Sequence, residues 1–124
     1  MGFWNLFTRE RKPKYVVDKK PIENETIARS FQFLIDSGYR YEFYQKNSER
    51  EFVYTLEECR VEVFLVGNKF DCVIQATSFP RSNILKNPLV GEEFEAHFLT
   101  ASNQERINMI VNLLRENADI FLLK

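Results

Sequence analysis

Few side chains in this sequence have the chemistry of a reaction centre. His97 is the one histidine, and Glu93 stands four residues before it. On a helix that spacing puts both on one face. A metal site wants more ligands than this pair, with Cys or further His, so His97 reads as a structural or surface residue. Glu57-Glu58 and Glu92-Glu93 are adjacent carboxylates. General acid work needs a carboxyl held in a cleft with a raised pKa, whereas adjacent glutamates usually mark a solvated turn. Cys59 and Cys72 fall on inward strand positions in the register below. Burial in apolar surroundings raises a thiol's pKa and makes it a poor nucleophile. No G-x-S-x-G, P-loop, H-E-x-x-H or C-x-x-C pattern occurs. The expectation is a chain that is not an enzyme, with no cofactor and no metal.

Any site must therefore be built by the stretch that dominates the chain, residues 50–78, which alternate apolar and polar with the period of a strand. Gly67-Asn68 suits a two-residue hairpin loop. With that loop Leu65 faces Phe70, Val63 faces Cys72 and Val61 faces Ile74. Taking Glu57-Glu58 as a second loop sets Leu56 against Cys59, Tyr54 against Val61 and Phe52 against Val63. Taking Asn47-Ser48 as a third sets Phe43 against Phe52 and Tyr41 against Tyr54. Three separate turn assignments give one apolar face, and a slip of one residue would carry Glu62 or Asp71 into the core. Glu57-Glu58 is the weakest of the three, because neither residue favours positive φ. In this register Cys72 faces Val63, four residues from Cys59, an offset of about 13 Å. That is too far for a disulfide, so two free buried thiols are expected, as in a reducing compartment.

Around the meander the pattern predicts a helix from Glu23 or Asn24 to Ser37, with Asn24 as N-cap and Gly38 as its stop. Ile27, Phe31, Leu34 and Ile35 form its apolar stripe, and Phe33 lies off it. Strands are predicted at 39–46, 49–56, 59–66 and 69–78, the last ended by Phe79-Pro80. Residues 80–93 read as loop; in 94–99 Phe94, Ala96 and Phe98 alternate like a strand or extended edge, the reading taken, while Phe94, His97 and Phe98 also fit a helical turn. Ser102 and Glu105 form a capping box opening a helix from Asn103 to Asn117, whose buried stripe is Ile107, Ile110, Val111 and Leu114. The apolar tail Ile120-Phe121-Leu122-Leu123 should pack along the sheet edge or on the first helix. The expected class is α+β: an N-terminal helix, a four-stranded antiparallel β-meander and a C-terminal helix, with both helices on one sheet face.

Composition bounds the rest. A 124-residue chain with 44% hydrophobic residues can bury one real core, so residues 22–124 are expected to form a single domain after an extended arm at 1–21. Seventeen Lys and Arg against 18 Asp and Glu leave a net charge of −1, which gives no reason to expect nucleic-acid binding. No run reaches the length of a membrane span, and the first residues lack a secretory h-region; the expected location is the cytoplasm. Phe3, Trp4, Leu6 and Phe7 precede Arg9, Arg11, Lys12 and Lys14. That tip either rests on an anionic membrane surface or tucks against the domain. Tyr15-Val16-Val17 either adds an edge strand or stays mobile.

The sheet's other face carries the functional expectation. Its rows are Tyr44, Glu51, Phe64 and Asp71; then Glu42, Val53, Glu62 and Val73; then Arg40, Thr55, Arg60 and Gln75. A solvated antiparallel face is mostly polar, yet this one mixes aromatic and aliphatic residues with carboxylates. An apolar centre in an acidic surround fits a surface that binds a basic protein. Tyr44, Phe64, Val53 and Val73 would be its anchors, and Glu42, Glu51, Glu62 and Asp71 would steer the partner. A homodimer is a further expectation. Alternatively, residues 80–100 or the tail cover this face, or it is simply half-solvated. A second reading places a small molecule between helix and sheet, touched by Tyr39, Tyr41, Tyr54 and His97. In general build the chain is similar to bacterial immunity proteins and secretion chaperones, a likeness of size and architecture without a shared motif.

Overall fold

The computed structural model describes residues 22–124. The expectations for the arm at 1–21 lie outside the described residues. The elements run α1 (Asn24–Ser30), α2 (Gln32–Asp36), β1 (Arg40–Lys46), β2 (Glu49–Leu56), β3 (Cys59–Val66), β4 (Lys69–Ala76), β5 (Phe79–Asn83), a 3-10 turn (Ile84–Lys86), α3 (Glu92–Thr100) and α4 (Asn103–Glu116). The strands form one antiparallel sheet in the order β1-β2-β3-β4-β5.

The register matches the turn arithmetic. Phe43 pairs with Phe52, Phe52 with Val63, Val63 with Cys72 and Leu65 with Phe70. Each of the three loops turns on a positive φ at its first residue: Asn47 at 57°, Glu57 at 54° and Gly67 at 62°. Positive φ at the first loop position alone is the pattern of a type II′ turn, which matches the right-handed strand twist. Glu57 thus adopts the backbone that its side chain disfavours, held by strands paired on both sides.

The class is α+β as expected, but the sheet has five strands rather than four. Phe79-Pro80 does not end the meander. Thr77 and Ser78 turn the chain, and β5 returns along β4 with Phe79 opposite Ala76. Pro80 is tolerated because β5 is an edge strand, where a missing N–H costs no ladder bond. The loop expected at 80–93 therefore holds a strand and a 3-10 turn. Residues 94–99 are not extended but belong to α3, which buries Phe98 and starts among Glu92, Glu93 and Glu95, acidic residues that favour a helix N-terminus. The first helix is broken at Phe31, which leaves α-helical geometry at φ −107°. Glu23, not Asn24, takes the N-cap position, and the Asn24 side chain instead accepts a bond from Arg50 Nη1 at 2.6 Å. Helix α4 opens with the predicted capping box.

All the helices bury their apolar sides on the same face of the sheet. Ile27, Phe31, Leu34, Phe98, Ile107, Ile110 and Leu114 join Phe52, Tyr54, Val61, Val63, Leu65, Phe70, Cys72 and Ile74 in one core. Both cysteines are free and buried within it, and burial raises each thiol's pKa. Val111, expected in the α4 stripe, is only half-buried, and Leu113 takes that place. Phe33 lies under the Arg115 guanidinium, 4.3 Å from the ring centroid. The tail latches the open end of the core: Phe121 is fully buried, and Tyr39 Oη donates to its carbonyl at 2.7 Å.

Candidate functional site: the outer face of the sheet

Strand alternation sends one set of side chains away from the helices, and the structure sorts them into three groups. Tyr44 and Glu42 on β1 are exposed, and Tyr44 Oη donates to Glu42 Oε1 at 2.9 Å. Glu51, Phe64, Asp71 and Val73 are half-buried. Val53 and Glu62, expected among the contact residues, are buried at 2% and 1% exposure.

Glu62 is instead an internal anchor. Its Oε2 accepts from Arg60 Nε at 2.6 Å and Arg81 Nε at 2.7 Å, and its Oε1 accepts from Arg81 Nη2 at 2.8 Å. The two-atom grip by Arg81 is the geometry that makes arginine–carboxylate pairs strong and directional. Arg81 comes from β5, which lies in the segment expected as loop. The sequence signal for this strand is a Thr-Ser turn followed by alternating Phe79, Arg81 and Asn83, against which Pro80 argues. Asp71 is likewise occupied, taking Asn83 Nδ2 at 3.2 Å on each oxygen and the Cys72 N–H at 2.8 Å. Arg40, Lys46, Arg60, Lys69 and Arg81 stand on this face against Glu42, Glu49, Glu51, Glu62 and Asp71, so the face as a whole is balanced rather than acidic.

Burial alone would raise the Glu62 pKa, but the bonds and charges of Arg81 and Arg60 outweigh it and hold the carboxyl below its ordinary value. Glu51, on the adjacent strand, moves the other way. Burial raises it first, then the charge of Glu62 and a hydrogen bond to that carboxylate. Two neighbouring carboxyls are thus pushed apart, with Glu51 the one that keeps its proton longer. The depressed Glu62 adds stability above the ordinary carboxylate pKa and loses it as pH falls through its folded value. The raised Glu51 adds stability while protonated and loses it as pH rises through its folded value. Glu51→Gln keeps a donor toward Glu62 and removes the ionisation. Its urea midpoint is expected to exceed that of the wild type at pH 7, with a gap that narrows at pH 4. An equal or lower midpoint at pH 7 contradicts the pairing.

Beside this network lies a groove of about 370 Å³ lined by Glu49, Phe64, Val66, Lys69, Asp71 and Val73. Val66 is 49% exposed at its rim. Of the groups in the alternative small-molecule reading, the Tyr41 and Tyr54 rings meet at 5.1 Å, but the four do not converge on one opening. Tyr39 and Tyr54 are sealed in the core, Tyr41 is exposed at the β1 edge, and His97 lies exposed on α3. His97 and Glu93 line a different groove, of about 470 Å³, with Phe94, Met109, Asn112, Leu113 and Glu116. Among the described residues no group of three His, Cys, Asp or Glu could hold a metal ion, and no helix is long and apolar enough to cross a membrane. Compared with known proteins, the chain matches no family model, no curated sequence and no solved structure.

Proposed function

We propose that this domain is a non-catalytic, cytoplasmic protein-binding module that receives its partner on the outer face of the sheet. The observation that carries this reading is the groove around Phe64, Val66 and Val73, on the face opposite the helices. An apolar centre with a polar rim is the anatomy of a protein interface. Two carboxylates, Glu49 and Asp71, and one cation, Lys69, line the groove, so it is locally acidic by one charge although the face as a whole is balanced; Glu42 and Glu51 lie toward β1. The complementary feature is an apolar side chain set beside a lysine or arginine. The Arg60–Glu62–Arg81 network stiffens the surface rather than steering the partner. Two free buried thiols accord with the cytoplasm.

The test is affinity capture from the native host with the wild type, Phe64→Asp and Tyr44→Ala. Phe64→Asp puts a charge in the middle of the groove and is expected to abolish capture of a basic protein while the circular dichroism spectrum stays native. Tyr44→Ala, at the rim, is expected to weaken it. Undiminished capture by a folded Phe64→Asp variant rules this surface out.

A further inference from the structure

We infer that β1 is a self-association edge: two copies of the chain pair antiparallel along Arg40–Lys46, with Tyr44 opposite Tyr44, and join their sheets into one. This stands apart from the groove proposed above and uses the rim of the sheet rather than its face.

Among the described residues the sheet ends in β1 on one side and β5 on the other. The β5 edge is guarded. It is five residues long, contains Pro80, and pairs irregularly between Ile74 and Ala76. These are the devices by which proteins block edge-to-edge pairing. The β1 edge has none of them. It runs seven residues in unbroken register, every one exposed, with no proline or glycine. Tyr41, Phe43 and Tyr44 are 42%, 37% and 51% exposed, so aromatic surface flanks the edge on both faces.

Hydrogen-bond parity shows which groups are on offer. Lys46 pairs with Glu49 across the two-residue loop, which makes that pair hydrogen-bonded. Lys46, Tyr44, Glu42 and Arg40 therefore direct their backbone groups to β2. Tyr41, Phe43 and Gln45 direct theirs outward, to the edge that no described strand covers. A second copy related by a two-fold axis normal to the sheet keeps faces matched only when the pairing centres on a residue. Three centres lie in mid-strand. Centring on Glu42 sets two Glu42 carboxylates against each other, and centring on Phe43 sets Arg40 against Lys46 twice. Centring on Tyr44 sets Glu42 against Lys46 twice, stacks the two Tyr44 side chains, and lets Phe43 and Gln45 exchange their outward bonds. Opposite charges and aromatic pairs across strands stabilise, and like charges do the reverse, so charge complementarity selects this register. The two outer faces then become continuous, and a dimer offers two grooves to one partner.

Sedimentation equilibrium of the full chain tests this, with Glu42→Lys, Lys46→Glu and Gln45→Pro. The wild type is expected to be dimeric. Each charge reversal puts like charges at both interface pairs and is expected to weaken self-association by about tenfold or more. An equimolar mixture of the two reversals restores Glu–Lys pairing at both positions and is expected to recover a heterodimer. Gln45→Pro removes an outward N–H, leaves the β2 bonds in place, and is expected to be monomeric. A monomeric wild type overturns the inference. So does a dimer that the variants leave unchanged, or a mixture of charge reversals that stays monomeric.

Discussion

Replacing Phe121 by alanine is expected to destabilise the domain by about 3–5 kcal/mol, the range for emptying a buried phenylalanine site. The ring is 0% exposed and meets Phe79 edge-on at 6.1 Å. Its backbone is fixed as well. The Phe121 carbonyl accepts from Tyr39 Oη, the Ile120 carbonyl accepts from Cys59 Sγ at 3.4 Å, and the Lys124 N–H donates to Ser37 Oγ at 3.0 Å. Such anchoring leaves the walls little freedom to collapse into the cavity. A small domain holds about 5–15 kcal/mol in all, so this one truncation removes a large share. The neighbour Leu122 is 41% exposed, and Leu122→Ala is expected to change stability by no more than about 0.5 kcal/mol. Urea unfolding of both variants gives the comparison. Similar losses at the two positions would show that the tail does not close the core.

The second large effect is expected at Arg106, which is fully buried. Its Nε donates to the Phe98 carbonyl at 2.8 Å and its Nη2 to the Leu99 carbonyl at 3.1 Å. Both carbonyls lie in the last turn of α3, where the i+4 helical donors run out; the Phe98 carbonyl also accepts the Ala101 N–H at 3.3 Å. The guanidinium also sits 5.1 Å from the centre of the Phe98 ring, a cation–π distance. Positive charge at a helix C-terminus is favourable, more so out of water. Arg106→Met keeps the stem's packing and withdraws the guanidinium bonds from both carbonyls, leaving the Phe98 carbonyl with the Ala101 N–H alone. The expected cost is about 2–4 kcal/mol, accompanied by faster amide exchange in α3 than in β2 or β3. A Met variant as stable as the wild type would mean that packing alone holds α3 in place.

How much of this was legible in the chain divides along physical lines. The meander from Arg40 to Ala76 could be read because period-two alternation and three two-residue turns constrain one another. Helix α4 was legible from Ser102 and Glu105, whose side chains close the capping box. The segment 79–100 was not. Pro80 argues against a strand unless the strand is known to be an edge, and edge status is a property of the whole sheet. Phe94, Ala96 and Phe98 alternate like a strand, but α3 is fixed by tertiary contact, through Phe98 in the core and Arg106 on its carbonyls. The outer face shows the same limit. Its rows were placed correctly, yet Glu62 looked like a free carboxylate because Arg81 belongs to the misread segment. Sequence spacing located the charges on the face and could not show which of them were already satisfied.

The most direct measurement of where a partner docks is side-chain NMR of the domain with and without the protein it captures. Docking on the outer face is expected to shift the Val66 and Val73 methyls and the Phe64 ring, which line the groove, while Met109 and Leu113 beside His97 stay fixed. Shifts confined to Met109, Leu113 and His97, with Val66 and Val73 unmoved, would place the binding surface between α3 and α4 and contradict the assignment made here.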